Sequence, residues 1–205
     1  MASSNVEEIV TTGSLINNTE KDTSPVNVIT KEDFENLNIS NFAEISKYLT
    51  SSSGSHFQTN ALEGVDQGMA SITLRGLEHS STLLLLNSKR HTFAGTPSNQ
   101  GEGYIDVNII PEIAIKQIEV LKEGATSLYG SDAVAGVVNV FTQKDFEGFK
   151  LRINNFETSN YSQSDKSLGL LVGSNYKNGS YVFGLNIFER SALSASEIPG
   201  IAELG

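Results

Sequence analysis

The stretch GATSLYGSDAVAGVVNV, Gly124 to Val140, carries the residue types of an anion cradle: small side chains and three glycines opening onto an apolar run. A Walker-type phosphate loop needs a lysine after its last glycine to meet the phosphates, and a hydroxyl beside it to meet the metal. Here Gly130 is followed by Ser131 and Asp132. The cation is missing and an acid stands where the anion would sit. A dinucleotide fingerprint needs GxGxxG between strand and helix, and the spacing fails it. What remains is a tight structural corner, with Ala125, Ala133 and Ala135 permitting close backbone approach around Gly124, Gly130 and Gly136.

Other chemistry finds little support. His56, His79 and His91 stand in separate loop or turn contexts without i, i+4 spacing, and read as solvated loop histidines rather than metal ligands. No GxSxG elbow accompanies a serine, and no pair of acids stands out as a general acid/base couple. The EF-hand pattern is absent. Asn17, Asn38, Asn160 and Asn178 head N-x-S/T triplets, which arise by chance in a polar chain. Neither an enzyme nor a resident metal or cofactor is expected.

The bulk composition narrows the partners. The chain has 205 residues with 24 acids against 14 bases, a net charge of −10, so neither nucleic acid nor an anionic lipid surface is an electrostatic partner. There are no cysteines, hence no disulfide frame and no thiolate metal site. The longest clean aliphatic run is Leu83 to Leu86, far short of the ~20 residues of a membrane-crossing helix. The start, MASSNVEEIV, lacks the basic and apolar regions of a signal peptide.

Three regions differ in texture. Residues 1–24, rich in Ser, Thr, Asn and Glu, read as a flexible N-terminal tail. Residues 25–145 read as a mixed αβ unit. It opens with a strand at Val26 to Ile29. Thr30 and Asp33 then form a capping-box variant before a helix over Lys31 to Leu37. Asn41 and Glu44 repeat the device for a second helix reaching about Leu49, with Phe42, Ile45 and Leu49 at helical spacing.

Strands follow at ASITLRG and STLLLL, the second ending in a turn, and a loop runs from Phe93 to Gly103. Pro111 begins a helical turn, Gln117 to Leu121 is a strand, and a short helix at Ser131 to Ala135 leads into a strand at Val137 to Phe141. Strands and helices do not alternate regularly, which disfavours a doubly wound sheet.

In residues 146–205 only period-two alternation remains. Phe149, Leu151 and Ile153 alternate with Lys150, Arg152 and Asn154. Leu168, Leu170 and Val172 alternate with Gly169, Leu171 and Gly173. Tyr181, Phe183, Leu185 and Ile187 alternate with Val182, Gly184 and Asn186. Asn178-Gly179 is a hairpin signal, since both residue types tolerate positive φ. Apolar-out, polar-in strands fit an outer-membrane β-barrel. An ordinary half-buried antiparallel sheet fits as well, and on texture alone it is the favoured reading.

The order of motifs adds to this. Residues Asp106 to Leu151, DVNIIPEIAIKQIEVLKEGATSLYGSDAVAGVVNVFTQKDFEGFKL, resemble the end of the plug domain of TonB-dependent outer-membrane receptors. ITLRG (Ile72 to Gly76) and TLLLLNSKRH (Thr82 to His91) resemble two earlier plug motifs at fitting distances. One departure is Asn87-Ser88, where the family usually has an Asn-Gly or Asp-Gly turn. EEIVTTG, comprising Glu7, Glu8, Ile9, Val10, Thr11, Thr12 and Gly13, resembles the TonB box, with Thr11 where a valine is common. A short β-prone patch in a tail suits strand addition to a partner's sheet edge.

The resemblance implies an α+β fold: a small mixed-sheet plug domain, then the first antiparallel strands of a truncated transmembrane β-barrel in the Gram-negative outer membrane, the plug lying in the barrel lumen. It implies the TonB C-terminal domain and a scarce nutrient (siderophore, cobalamin, haem or glycan) as partners. Arg75 and Glu119 look like plug charges that pair with the barrel wall. Phe57, His91 and Phe93 fall in loops expected to face the nutrient.

The residues from Phe146 onward cannot supply a barrel of about 22 strands, so a fragment of a longer receptor is expected. The alternative is a stand-alone periplasmic plug-like binding module. If the box adds as a strand, Ile9→Pro abolishes binding to the TonB C-terminal domain in a titration of the purified partner, because proline removes a ladder donor; unchanged affinity would move the box elsewhere.

Overall fold

The computed structural model describes residues 12, 26–37, 39, 41–52, 68–98, 101–160, 162–193 and 197. They fall into two compact units. The first holds described residues up to 39, 43–109 and 115–142; the second holds 41–42, 110–114 and those from 143 onward.

The first unit is built on a five-stranded mixed sheet. Its strands are β1 (Val26–Thr30), β2 (Thr82–Leu86), β3 (Lys89–Arg90), β4 (Ile115–Leu121) and β5 (Gly136–Thr142), in the spatial order β1-β4-β5-β2-β3. Only β2 and β5 run parallel; the other pairs are antiparallel. The central strand β5 is buried on both faces, which explains why GVVNV reads as a continuous rather than an alternating run. One face packs Leu83, Leu85, Leu121 and Val137 against Ala125 and Ala133. The other buries Leu84, Ile118, Val120, Val138 and Val140. Each fully buried aliphatic side chain contributes about 1.5–3 kcal/mol before entropy is counted.

The capping box forms as expected. The Thr30 hydroxyl accepts from the Asp33 N–H at 3.4 Å, and Asp33 Oδ2 accepts from the Thr30 N–H at 2.8 Å, starting α1 (Lys31–Asn36). Elsewhere local structure departs from expectation. The second helix is a 3-10 helix, Phe42–Lys47.

ASITLRG forms no ladder strand. Leu74 makes a lone bridge to Ser52, and the Leu74 N–H donates to the Thr82 hydroxyl at 3.0 Å, so side chains take up backbone groups that a neighbouring strand would have taken. In the corner, α2 (Thr126–Tyr129) occupies residues expected to be loop, and the expected Ser131 to Ala135 helix shrinks to a 3-10 turn, Ser131–Ala133. Gly130, at φ 80° and ψ −171°, interrupts the helix between them.

The hairpin turn between β2 and β3 puts both Asn87 (φ 51°) and Ser88 (φ 65°) in the left-handed region. This is the two-residue geometry that normally selects glycine at the second position. Ser88 is held there by the Asn139 side chain of β5, and Asn87 by the sheet. The Asn87 N–H donates to Val140 O at 2.8 Å, and Asn87 Oδ1 accepts from the Thr142 N–H at 3.0 Å.

The second unit is a meander of β6 (Gly148–Glu157), β7 (Ser164–Tyr176) and β8 (Gly179–Arg190). All three alternating runs are strands. The β7–β8 turn is Lys177-Asn178, neither residue having positive φ, and Gly179 already pairs with Tyr176. The hairpin is where Asn178-Gly179 marked it, but not of the Asn-Gly type. Glycine at 179 leaves room for the exposed Tyr176 side chain, whose hydroxyl a Cβ there would meet at 2.9 Å.

Register sorts the two faces of this sheet. Phe149, Val172 and Phe183 form one row, Leu151, Leu170 and Leu185 the next, and Ile153, Leu168 and Ile187 a third. This apolar face is the exposed one: Phe149 is 67% and Ile153 70% accessible. The opposite face carries Gly169, Leu171 and Gly184 and is covered by Ile113 and Ala114, with Leu171 fully buried. A Cβ on Gly169 would press on the Ile113 side chain at 3.1 Å, and one on Gly184 on the Ala114 Cβ at 3.0 Å. In a half-buried sheet of a water-soluble protein the two faces would be exchanged. The texture ambiguity is thereby resolved against that reading.

Gly136 opens β5 at φ 141°, and a Cβ there would overlap the Leu121 carbonyl oxygen. Gly136→Ala is expected to destabilise by at least about 2 kcal/mol, from backbone strain plus displacement of the β4 edge. The midpoint of denaturant unfolding measures it; an unshifted midpoint would show that β4 yields without cost.

Candidate functional site

Alternation along β4 places Gln117, Glu119 and Leu121 on one face, and antiparallel register sets Glu119 opposite Asn139 of β5. Both polar side chains therefore point into the face that Leu83, Leu85 and Val137 fill. Glu119 has 0% of its surface exposed and Asn139 only 1%. A polar group so placed costs several kcal/mol unless bonded.

The partner comes from the tail. The Thr12 N–H donates to Glu119 Oε2 at 2.8 Å, and Asn139 Nδ2 donates to the Thr12 hydroxyl at 3.0 Å, with Thr12 itself buried. Gln117 Nε2 donates to Glu119 Oε1 at 3.0 Å. Asn139 also holds the hairpin turn: its Oδ1 accepts from the Ser88 N–H at 3.0 Å and its Nδ2 donates to the Ser88 hydroxyl at 3.2 Å.

Of the candidate box residues, Thr12 is thus bound within the first unit; Glu7, Glu8, Ile9, Val10, Thr11 and Gly13 lie outside the described residues. Glu119, expected at the barrel wall, has both carboxyl oxygens bonded within its own unit. Arg75 is exposed and sits at φ 60°, its N–H donating to Ser51 O at 2.7 Å. Sequence reasoning passed over Asn139, although one amide in the apolar run GVVNVF was a sign of a buried group that needs partners.

A charge pair that the sequence did not single out lies in the second unit. Arg152, on the covered face of β6, donates from its guanidinium to Glu112 Oε1, with side-chain exposures of 21% and 4%. Gln143 reinforces the same segment, its N–H donating to Ala114 O at 2.8 Å and its side chain to Ile113 O at 3.2 Å. Pro111 and Glu112 begin a 3-10 turn that lays Ile113 and Ala114 against Leu171.

The loop after β3 presents its side chains outward. His91 and Phe93 are exposed, and the Phe93 ring lies against Gly103, with a cross-loop bond from the Ala94 N–H to Tyr104 O at 2.8 Å. Phe57 lies outside the described residues. Arg90 turns to the corner instead, bonding Asp132 at 2.5 Å and the Tyr129 carbonyl at the end of α2. Asp132 is therefore engaged in closing the corner, in keeping with a structural rather than an anion-binding role.

Of the three histidines, His56 is outside the described residues. His79 corrects the solvated reading: its Nδ1 lies 3.0 Å from the buried Ser71 hydroxyl and 3.2 Å from that of Thr73.

Removing one partner of a buried ion pair costs about 3–5 kcal/mol, and the partial exposure of Arg152 lowers this to about 2–3 kcal/mol for Glu112→Ala. In a double-mutant cycle with Arg152→Met, the double variant is expected to lose less than the sum of the single losses. Additive losses would mean that the two side chains act independently.

The model of the TonB-dependent receptor plug domain family matches residues 18–137. The probable TonB-dependent siderophore receptor PirA of Acinetobacter baumannii is 37% identical over 127 residues, covering 58% of this chain and 16% of the relative. The vitamin B12 transporter BtuB of Vibrio vulnificus is 32% identical over 117 residues, covering 57% of this chain and 17% of the relative. The crystal structure of the siderophore receptor PirA from Acinetobacter baumannii superposes with a TM-score of 0.61 at 30% identity, covering 84% of this chain and 26% of that one. The chain spans less than a fifth of the length of these two curated relatives. It belongs to the TonB-dependent receptors of the outer membrane, with its plug domain at residues 18–137.

Proposed function

We propose that this chain acts in energised uptake of a scarce nutrient across the outer membrane, the plug gating a barrel and TonB supplying the pull through the tail. The observation that carries this reading is the inverted meander. Its exposed rows of Phe, Leu and Ile suit contact with hydrocarbon, and its small and polar face is the covered one. Such a surface is a liability for a stand-alone soluble module, which argues against that alternative. No helix among the described residues is long and apolar enough to cross a membrane, so any crossing falls to strands.

A ferric siderophore is the nutrient class we favour, supported by the siderophore receptor PirA among the relatives; the similarity to a vitamin B12 transporter keeps cobalamin in the comparison. In this reading Glu7 to Gly13 engage the TonB C-terminal domain by strand addition. Arg75, exposed at its left-handed turn, faces the wall, and His91 and Phe93 meet the nutrient. The protein's part is binding and gating, with no bond made or broken in the cargo.

Titration of the receptor in outer-membrane vesicles with ferric siderophores, cobalamin and oligosaccharides should give saturable binding with ferric siderophores alone. Phe93→Ala should weaken it about tenfold, as for an aromatic anchor. Saturable binding of cobalamin or an oligosaccharide instead would overturn the class; binding of none would overturn the receptor reading.

A further inference from the structure

The polar cluster beneath the tail does more than satisfy Glu119. Asn139 stands between two groups that share no segment of chain. On one side its Nδ2 donates to the Thr12 hydroxyl at 3.0 Å; on the other its Oδ1 accepts from the Ser88 N–H at 3.0 Å and its Nδ2 reaches the Ser88 hydroxyl at 3.2 Å. Ser88 needs holding, because it occupies φ 65° without being glycine. Beyond it β3 is only two residues long, with two register partners on β2, and the chain then reaches exposed His91 and Phe93. The other half of the turn has separate anchors, with Asn87 bonded to Val140 and Thr142. The path from Thr12 therefore leads to the Ser88 half.

We propose that Asn139 is a relay between the tail and this loop: withdrawing Thr12 removes an acceptor that fixes the Asn139 amide, and the Ser88 half of the turn is loosened together with the short strand that leads to His91 and Phe93. The direction follows from the bonding. Thr12 is held by two buried side chains, Glu119 and Asn139, so a pull on the tail acts on both. Glu119 passes its share to Gln117 within the same strand, where the β1 and β5 ladders resist. Asn139 passes its share to a left-handed turn near the sheet edge, followed by a strand that has two ladder partners and the Arg90 bonds to Asp132 and the Tyr129 carbonyl to hold it. The Thr12 hydroxyl, the Asn139 amide and Ser88 are thus positioning residues for the loop, and none of them needs to touch cargo.

This rests on the reading of the tail as the segment that is pulled, but its test needs neither TonB nor nutrient. Residue-resolved amide hydrogen exchange on the receptor in outer-membrane vesicles compares wild type with Thr12→Val, which keeps the N–H to Glu119 and removes the hydroxyl, and with deletion of residues 1–13. Loss of one supporting hydrogen bond should speed exchange at Ser88 by about tenfold in Thr12→Val, and by more in the deletion. Leu121 and Val137, in the apolar part of the same face, should keep their wild-type rates. An unchanged Ser88 amide in Thr12→Val overturns the relay, as does acceleration shared equally by Leu121 and Val137, which marks general loosening of the sheet. Failure of TonB to bind the tail would sink the transport reading and leave this result untouched.

Discussion

A buried carboxyl group imposes the strictest condition on the first unit. Glu119 has no exposure to water, so each of its oxygens must find a donor inside the protein. One donor, Gln117, lies on the same strand; another is the backbone of Thr12, 107 positions away. Meeting that condition brings Thr12 onto the sheet, and its hydroxyl then meets Asn139. The sheet order follows the same logic. With β5 between β4 and β2 and covered on both faces, the only polar side chain of its buried run faces the carboxyl and the strained turn at once.

The second unit obeys a different constraint. Its glycines are placed for close packing: Gly169 and Gly184 give up side chains so that Ile113 and Ala114 can lie against the strands. Glu112 and Arg152 fix that contact electrostatically in a place largely shielded from water, where an ion pair is worth keeping intact even though its formation gains little over apolar packing. With the small and polar side of the meander occupied, the large apolar side chains are left to the environment. That is the arrangement of a strand surface that meets lipid.

Much of the fold was legible beforehand because it is local. The Thr30–Asp33 capping box, the leucine strand, the corner glycines and three alternating strands depend on residues close in sequence, and each formed where its pattern stood. The misses share one cause. ASITLRG has strand composition, but it pairs through isolated bridges, with a threonine hydroxyl taking the Leu74 N–H, rather than through a ladder. His79 looked like loop decoration until two buried hydroxyls were folded onto its ring. Composition reports what a segment prefers, whereas these outcomes depended on which distant group arrived to bond it.

The amino-acid sequence by itself determined the family and the three alternating strands that follow the plug motifs. These rest on short-range periodicity and on the order of motifs, which are properties of the chain alone. Only the tertiary structure decided which face of the meander is covered, that Glu119 binds the tail, and that Glu112 finds Arg152. Alternation marks two faces without saying which one meets a neighbour, and a charge does not reveal its partner. Strand register and long-range contact supply both, because burial forces polar groups to pair with whatever the fold brings within hydrogen-bond reach.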